Sequence, residues 1–370
     1  MHRDPIRLLT GVTSALVGLN VLSHTGLAQG CIAVRSCPTP PVLPGAVPEA
    51  DPDASKWSAS VAYRWYQSDR HYSGDVEQKQ RQAIGNQVIN KVHAFDVAAS
   101  YAATPRITLT LDIPFAFSER SSWYEHDFVT RHSMSSSGLG DVRLLSSYWI
   151  FDPKEHANGN ISIGLGLKAP TGDDEATDIS YRTAADGGPT RRPVDPSIQP
   201  GDGGWGISLD LQAYQRIYKN LFGYMVGSYM MTPQEQSSTE FTIADIPRFK
   251  TTFTSLRSHN TIPDQYLGRV GFDFQVLPEK GLSVSLGTRM EGVPVYDIVG
   301  GSMGWRRPGY TVSIEPGISW MYKKNAFSLL TPVAMYRNRE RSAPEVALGL
   351  PRGDSAFADY SILFSFSHHF

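Results

Sequence analysis

The sequence predicts an all-β protein: a transmembrane antiparallel up-and-down β-barrel of about twelve strands, with short periplasmic turns and long extracellular loops. Three observations predict it. Apolar residues recur at every second position in segment after segment, the period of a strand with one apolar face. The polar connections alternate between short and long from one end of the chain to the other. The chain ends inside such a strand, on the aromatic Phe370.

The segments follow in order. The first covers 57–65, with Trp57, Val61, Tyr63 and Trp65 on one face. Phe95, Val97, Ala99 and Tyr101 mark the second, and Ile107, Leu109, Leu111, Ile113, Phe115 and Phe117 the third. The fourth carries Val142, Leu144, Tyr148 and Ile150; the fifth Ile161, Ile163, Leu165 and Leu167; the sixth Trp205, Ile207, Leu209 and Leu211. The seventh, 222–231, is apolar on both faces, so its register stays open. Val270, Phe272 and Phe274 mark the eighth, Leu282, Val284 and Leu286 the ninth, and Val312, Ile314 and Ile318 the tenth. Pro332 interrupts the eleventh, 327–335, because it cannot donate to a ladder. The twelfth shows Tyr360, Ile362, Phe364, Phe366 and Phe370 on one stripe, with Ser361, Ser365 and Ser367 opposite. This last stripe resembles the C-terminal insertion signal of bacterial outer-membrane barrels, which implies the barrel-assembly machinery as a partner and Tyr360, Phe364, Phe366 and Phe370 as its readable residues.

Short links fall at 102–106, 152–159, 218–220, 277–281 and 323–325. Long ones fall at 67–87, 119–137, 171–203, 233–265, 292–307 and 338–356. A soluble sandwich has no reason to sort its loops this way; a membrane barrel has. Aromatics gather near strand ends at Trp57, Tyr101, Phe117, Trp205, Tyr322 and Phe370, as interfacial girdles do.

Composition agrees. The chain has 370 residues, 41% of them hydrophobic, yet its mean hydropathy is −0.27. After the N-terminal run no stretch is apolar for the roughly eighteen residues a membrane helix needs. A net charge of −2 gives no reason to expect nucleic acid. Residues 1–28 read as a signal peptide: Arg3 and Arg7, an uncharged run from Leu8 to Leu22, and a cut after Ala28. Residues 29–55 read as a Cys/Pro-rich periplasmic segment and 56–370 as the barrel. Cys31 and Cys37 are expected to form a disulfide in an oxidising compartment. Cys31 follows Ala-Gln-Gly, a poor match to a lipidation site.

Gly138-Leu-Gly140-Asp141-Val142-Arg143-Leu144, then Ile161-Ser-Ile-Gly-Leu-Gly-Leu-Lys168-Ala-Pro170-Thr171-Gly172-Asp173, then Gly203-Gly204-Trp205-Gly206-Ile207, resemble the family of MetA-pathway-of-phenol-degradation proteins. The resemblance is clearest over 138–211. It implies an outer-membrane barrel acting as a transporter or channel, with a link to aromatic or hydrophobic solutes. The residues also have a direct reading: Pro170 and Gly172 mark a strand exit, and Gly138 and Gly140 allow a bend or close contact at the rim.

Strand parity places Asp96, Asp112, Asp141, Arg143, Lys168, Asp210, Arg269, Asp273, Arg289, Glu291, Glu315 and Asp359 on the inner face. Charges of both signs suit a hydrated path for diffusive passage of small solutes. They also suit a salt-bridge network plugging a structural or adhesion barrel. An outer-membrane phospholipase is the third reading, but it needs a serine activated by an oriented histidine. His71, His126, His132, His259, His368 and His369 fall in loops or at the terminus, and His132-Ser133 has no evident third member. Asp173, Asp174, Glu175 and Asp178 match no dedicated calcium loop. The expectation is a non-enzymatic monomer in outer-membrane lipid, with no cofactor, metal or nucleic acid.

Overall fold

The computed structural model describes residues 24–25, 36–37, 55–240 and 259–370. Twelve strands are built from them. These are β1 (Trp57–Ser73), β2 (Ile89–Ala102), β3 (Ile107–Ser122), β4 (His132–Leu139 and Arg143–Trp149), β5 (Gly159–Lys168) and β6 (Gly206–Tyr218). They continue with β7 (Leu221–Met231), β8 (Gln265–Leu277), β9 (Leu282–Val293), β10 (Gly309–Tyr322), β11 (Asn325–Leu330 and Val333–Arg339) and β12 (Ser355–His369). Each pairs antiparallel with its neighbours in sequence, and β12 closes the ring on β1 through Ile362 opposite Trp65 and Phe364 opposite Tyr63. The sheet is thereby closed into a ring, the condition for crossing lipid. Phe370 takes part: its amide donates to Trp57 O at 3.2 Å, and its carbonyl accepts from Ser55 N at 3.1 Å.

The alternation sorts by environment. Outward residues such as Leu165, Val270 and Phe272 are 57–59% exposed. Inward residues between them are polar and buried. That is the reverse of a soluble protein, and it fits an apolar belt against lipid around a polar interior. Trp57 and Tyr101 pack at 4.9 Å, and Trp320 and Phe327 stack at 5.6 Å, forming part of an aromatic band at the short-turn end.

Two strands are broken. β4 stops at 140–142 and resumes, both pieces pairing with β3. β11 stops at Thr331-Pro332, and beyond the break it pairs with β12 at Val333 and Tyr360 alone. The register of β7 is now fixed: Phe222, Tyr224 and Val226 point inward. Three boundaries differ from the sequence reading. β1 continues to Ser73, β3 to Ser122, and His132-Ser133 opens β4 opposite Ser122 and Ser121 rather than lying in a loop. The outward positions of these extensions are polar, such as Gln67, Asp69, Glu119, Ser133 and Ser135, so the apolar stripe that marks a strand is missing. Most of residues 1–54, Cys31 among them, lies outside the described residues, as does the side chain of Cys37, so the expected disulfide is not among the contacts below.

Candidate functional site: a charged lumen and a loop folded into it

Of the charges that parity counts inward, those other than Asp359 are buried or nearly so, and the fold brings many of them together. Arg64 of β1 donates to Glu291 of β9 at 3.0 Å, a bond with β10, β11 and β12 between its two strands. It therefore runs as a chord across the lumen. Arg289 pairs with Glu291 at 2.9 Å and with Glu315 at 3.4 Å, and Arg269 Nε reaches Glu315 at 2.7 Å. Arg64, Glu291, Arg289, Glu315 and Arg269 thus form one chain of alternating sign. No surface of Arg289 or Glu315 reaches solvent. Pairing is what makes such burial tolerable, since an isolated buried charge would cost several kcal/mol.

On the opposite wall, Arg143 donates to Ser208 at 2.7 Å and stands 3.8 Å from Asp210. Asp112 is buried at the register position opposite Arg143. Asp96 and Asp273 are buried on β2 and β8. Asp359 departs from expectation. Its side chain is 50% exposed and pairs with Arg70 at 2.8 Å and Arg337 at 2.6 Å. Bulges between Phe357 and Ser361 break the two-residue period there, so parity counted from Phe370 fails beyond Tyr360. The aromatic stripe itself holds: Tyr360, Phe364 and Phe370 all face outward.

At the short-turn end one side of the lumen carries an apolar cluster among buried polar residues such as Ser100, Thr108, Asn160 and Gln275. Trp149, Tyr214 and Phe222 form a buried cluster, with the Arg216 guanidinium 4.9 Å above the Phe222 ring.

At the long-loop end the filling comes from the β5–β6 loop, 169–205. A hairpin, Thr177–Tyr181 against Pro189–Pro193, stands on the outside. Residues 194–202 then turn inward and are buried throughout. Val194 and Ile198 pack on Met134 of β4. Two polar anchors hold this stretch.

The first anchor explains the glycine motifs. Asp141, at the β4 break, accepts from Gly172 N at 3.0 Å, Asp202 N at 3.1 Å and Lys168 Nζ at 3.2 Å. Lys168 also pairs with Asp202. One carboxylate thus ties the outgoing and returning arms of the loop. The arms cross so closely that a Cβ on Gly172 would sit 2.7 Å from Gly201 Cα, and one on Gly140 would sit 3.2 Å from Pro200 O. Only glycine fits such a crossing.

The second anchor was not visible in the sequence. Asp195 lies between Arg120 of β3, at 3.4 Å, and Arg307 of the β9–β10 loop. Arg120 also donates to Glu125 at 2.8 Å, Asn90 at 2.9 Å and Tyr124 at 2.6 Å. Burial alone would raise the Asp195 carboxyl; the two guanidinium charges outweigh it and hold that carboxyl well below the usual carboxylate range. The available signal was weak: two apolar residues, Val194 and Ile198, in a loop that also carries Ile179, Tyr181 and Trp205.

Beside this anchor, His126 is buried in the β3–β4 loop and accepts from Tyr181 N at 3.0 Å; His132 stacks on Tyr181 at 4.5 Å. Burial, then the neighbouring His132, pushes the His126 imidazole down to about 4.

No family model matches the sequence, and no curated protein matches it. Solved structures do. An outer membrane channel from Pseudomonas putida F1 superposes with a TM-score of 0.55 at 13% identity, covering 87% of this chain and 100% of that one. The beta domain of the Bordetella autotransporter BrkA gives 0.44 at 12% identity, over 86% of this chain and 100% of that one. The Pseudomonas putida toluene transporter TodX gives 0.43 at 10% identity, over 97% and 100%. The first likeness is one of fold: this chain is a closed twelve-stranded barrel of the bacterial outer-membrane type.

Proposed function

We propose that the chain is a monomeric outer-membrane channel for diffusive passage of small solutes, closed at its extracellular mouth by residues 194–202. One observation carries the reading: the mouth is filled by a loop held through side-chain contacts, not by residues of the wall. A scaffold barrel can fill its lumen from its strands. A loop that enters, ties itself at Asp141 and is clamped at Asp195 is a removable closure. The passage needs no cofactor or energy-coupling domain. The solute reading is of small molecules with aromatic or hydrophobic character, which the motif resemblance and the Trp149–Tyr214–Phe222 lining of the exit support.

A second reading has its own observation. The Arg64-to-Arg269 chain crosses the lumen with its charges paired, as in a plugged barrel whose loops carry the function. Uptake of labelled small solutes into liposomes separates the two. A channel admits them, and a plugged barrel does not.

A further inference from the structure

We propose that the short-turn rim of the barrel is a docking surface for anionic phospholipid headgroups of the periplasmic leaflet, held by cations seated on the aromatic girdle. The inference goes beyond the channel reading and holds for an open and for a plugged lumen alike.

The first observation is charge. Each of the five short turns carries a cation, Arg106, Lys154, Lys219, Lys280 and Lys323, and Lys56 stands just before β1. Arg216 and Lys324 add two more beside them. The anions of the same turns are Asp152, Glu155 and Glu279. Among the described residues no ion pair involves any of these cations. The long-loop end is the opposite: Arg70, Arg120, Arg306 and Arg339 there have carboxylates at 2.5–2.9 Å. The rim is therefore a positive surface whose counter-charges the described chain does not supply.

The second observation is where these cations sit. Lys219 Nζ lies 5.1 Å from the centroid of the Tyr218 ring, and Lys323 Nζ 5.4 Å from that of Tyr322, both in cation–π range. Arg106 donates to Tyr148 Oη at 3.3 Å, and Trp320 Nε1 donates to Lys280 O at 3.1 Å. All four aromatic residues are exposed. Such residues lie at the headgroup level of a membrane, so the cations beside them stand at the depth of the lipid phosphates. They also follow the turns around the barrel. A ring of charge fits the lipids that encircle the protein, whereas a soluble partner would need a patch on one side.

The third observation is backbone conformation. Among the described residues three non-glycines have positive φ, and two of them are Lys219 at 42° and Lys323 at 53°. Each opens a two-residue hairpin turn, where a left-handed residue is normally Gly or Asn because a larger side chain is disfavoured. Asn220 and Asn325 lie close by, yet lysine takes the left-handed place. The same unit, an exposed tyrosine followed by a left-handed lysine over its ring, is thus built twice against backbone preference. Strain kept in this way points to a required side chain. What an ammonium group at headgroup depth meets is a phosphate, and a polybasic surface favours anionic lipid over zwitterionic.

The test is native mass spectrometry of the whole barrel, released from micelles titrated with phosphatidylglycerol or with phosphatidylethanolamine of the same chains. Wild type should bind phosphatidylglycerol about tenfold more tightly or better. Asparagine suits the left-handed backbone, so Lys219→Asn and Lys323→Asn should fold with an unchanged or raised urea midpoint. Each should nonetheless weaken phosphatidylglycerol about fivefold. Lys91→Gln, on the exposed outer face of β2 at the long-loop end, should leave the affinity as in wild type. Dissolved glycerol 3-phosphate at equal concentration should not displace the lipid, which separates a membrane headgroup from a free phosphate. Equal affinity for the two lipids in wild type overturns the proposal and leaves the rim to an acidic soluble partner. Equal losses in Lys91→Gln and Lys323→Asn overturn it as well, since charge anywhere on the outer wall would then suffice.

Discussion

At the periplasmic end, Trp149, Tyr214 and Phe222, which project from β4, β6 and β7, cluster on one side of the lumen. At the extracellular end, it is filled by residues 194–202, a stretch of loop that reaches its place through two polar anchors. The first is part of the wall and moves only if the barrel deforms. The second is attached at identifiable atoms and leaves if those contacts break. The comparison teaches where a barrel can be opened without being unfolded. Packing of side chains on strands is tied to global stability, whereas closure by an ion-paired loop is a local equilibrium.

Breaking each end in turn tests the comparison. Phe222→Ala removes a fully buried ring and should lower barrel stability by about 3–5 kcal/mol, seen in urea unfolding in micelles. Amide exchange at 194–202 should stay as in wild type. Asp195→Ala leaves Arg120 and Arg307 facing each other; breaking a buried pair costs on the order of 3–5 kcal/mol. Here the cost should fall on the loop, with fast exchange at 194–202 and an unchanged unfolding midpoint. A shifted midpoint in Asp195→Ala would show that the two ends are not separable.

Gly172→Val attacks the other anchor. The added carbons meet backbone at Gly201, and overpacking of this kind costs about 1–3 kcal/mol. Exchange should quicken at 172–174 and 200–203 together, because one crossing joins both arms.

Acid separates the loops from each other. His126 is buried neutral, with an imidazole lowered from 6.5 to about 4. Its contribution to folding is complete above pH 6.5 and is lost as pH falls towards 4. Asp127 and Asp178 face it and favour the charged form; His132 and Arg182 disfavour it. Asp195 is also depressed, so its contribution is present above the ordinary carboxylate range and survives until far lower pH. Proteolysis of the folded protein should therefore open the β3–β4 loop between pH 6.5 and 4 while 194–202 stays protected. His126→Phe should remove the first effect. Loss of both protections together would contradict the assignment.

The smallest effect belongs to Asp359. Its pairs with Arg70 and Arg337 are partly exposed, and Asp359→Ala should change stability by less than about 1 kcal/mol in urea unfolding.

Much of the barrel was legible in the sequence because lipid on one side and polar groups on the other enforce a strict two-residue period. Leu165 or Arg289 can be assigned a face by counting alone. The count fails at Asp359, where a bulge resets it. Asp141 and Lys168 were legible as inward charges, but their partner Asp202 was not, since a loop has no period to read. Arg120, Glu125, Asp195 and Arg307 were missed for the same reason. They come from a strand end and three loops, and only the folded chain brings them together.

The central claim is that residues 194–202 close the mouth and can leave it with the barrel intact. Single-channel recording in planar bilayers tests it most directly, on wild type and Asp195→Ala, with amide exchange showing the loop released in the variant. The account predicts larger or more frequent openings in Asp195→Ala than in wild type. Identical traces from the two proteins, with the loop demonstrably released, would contradict it.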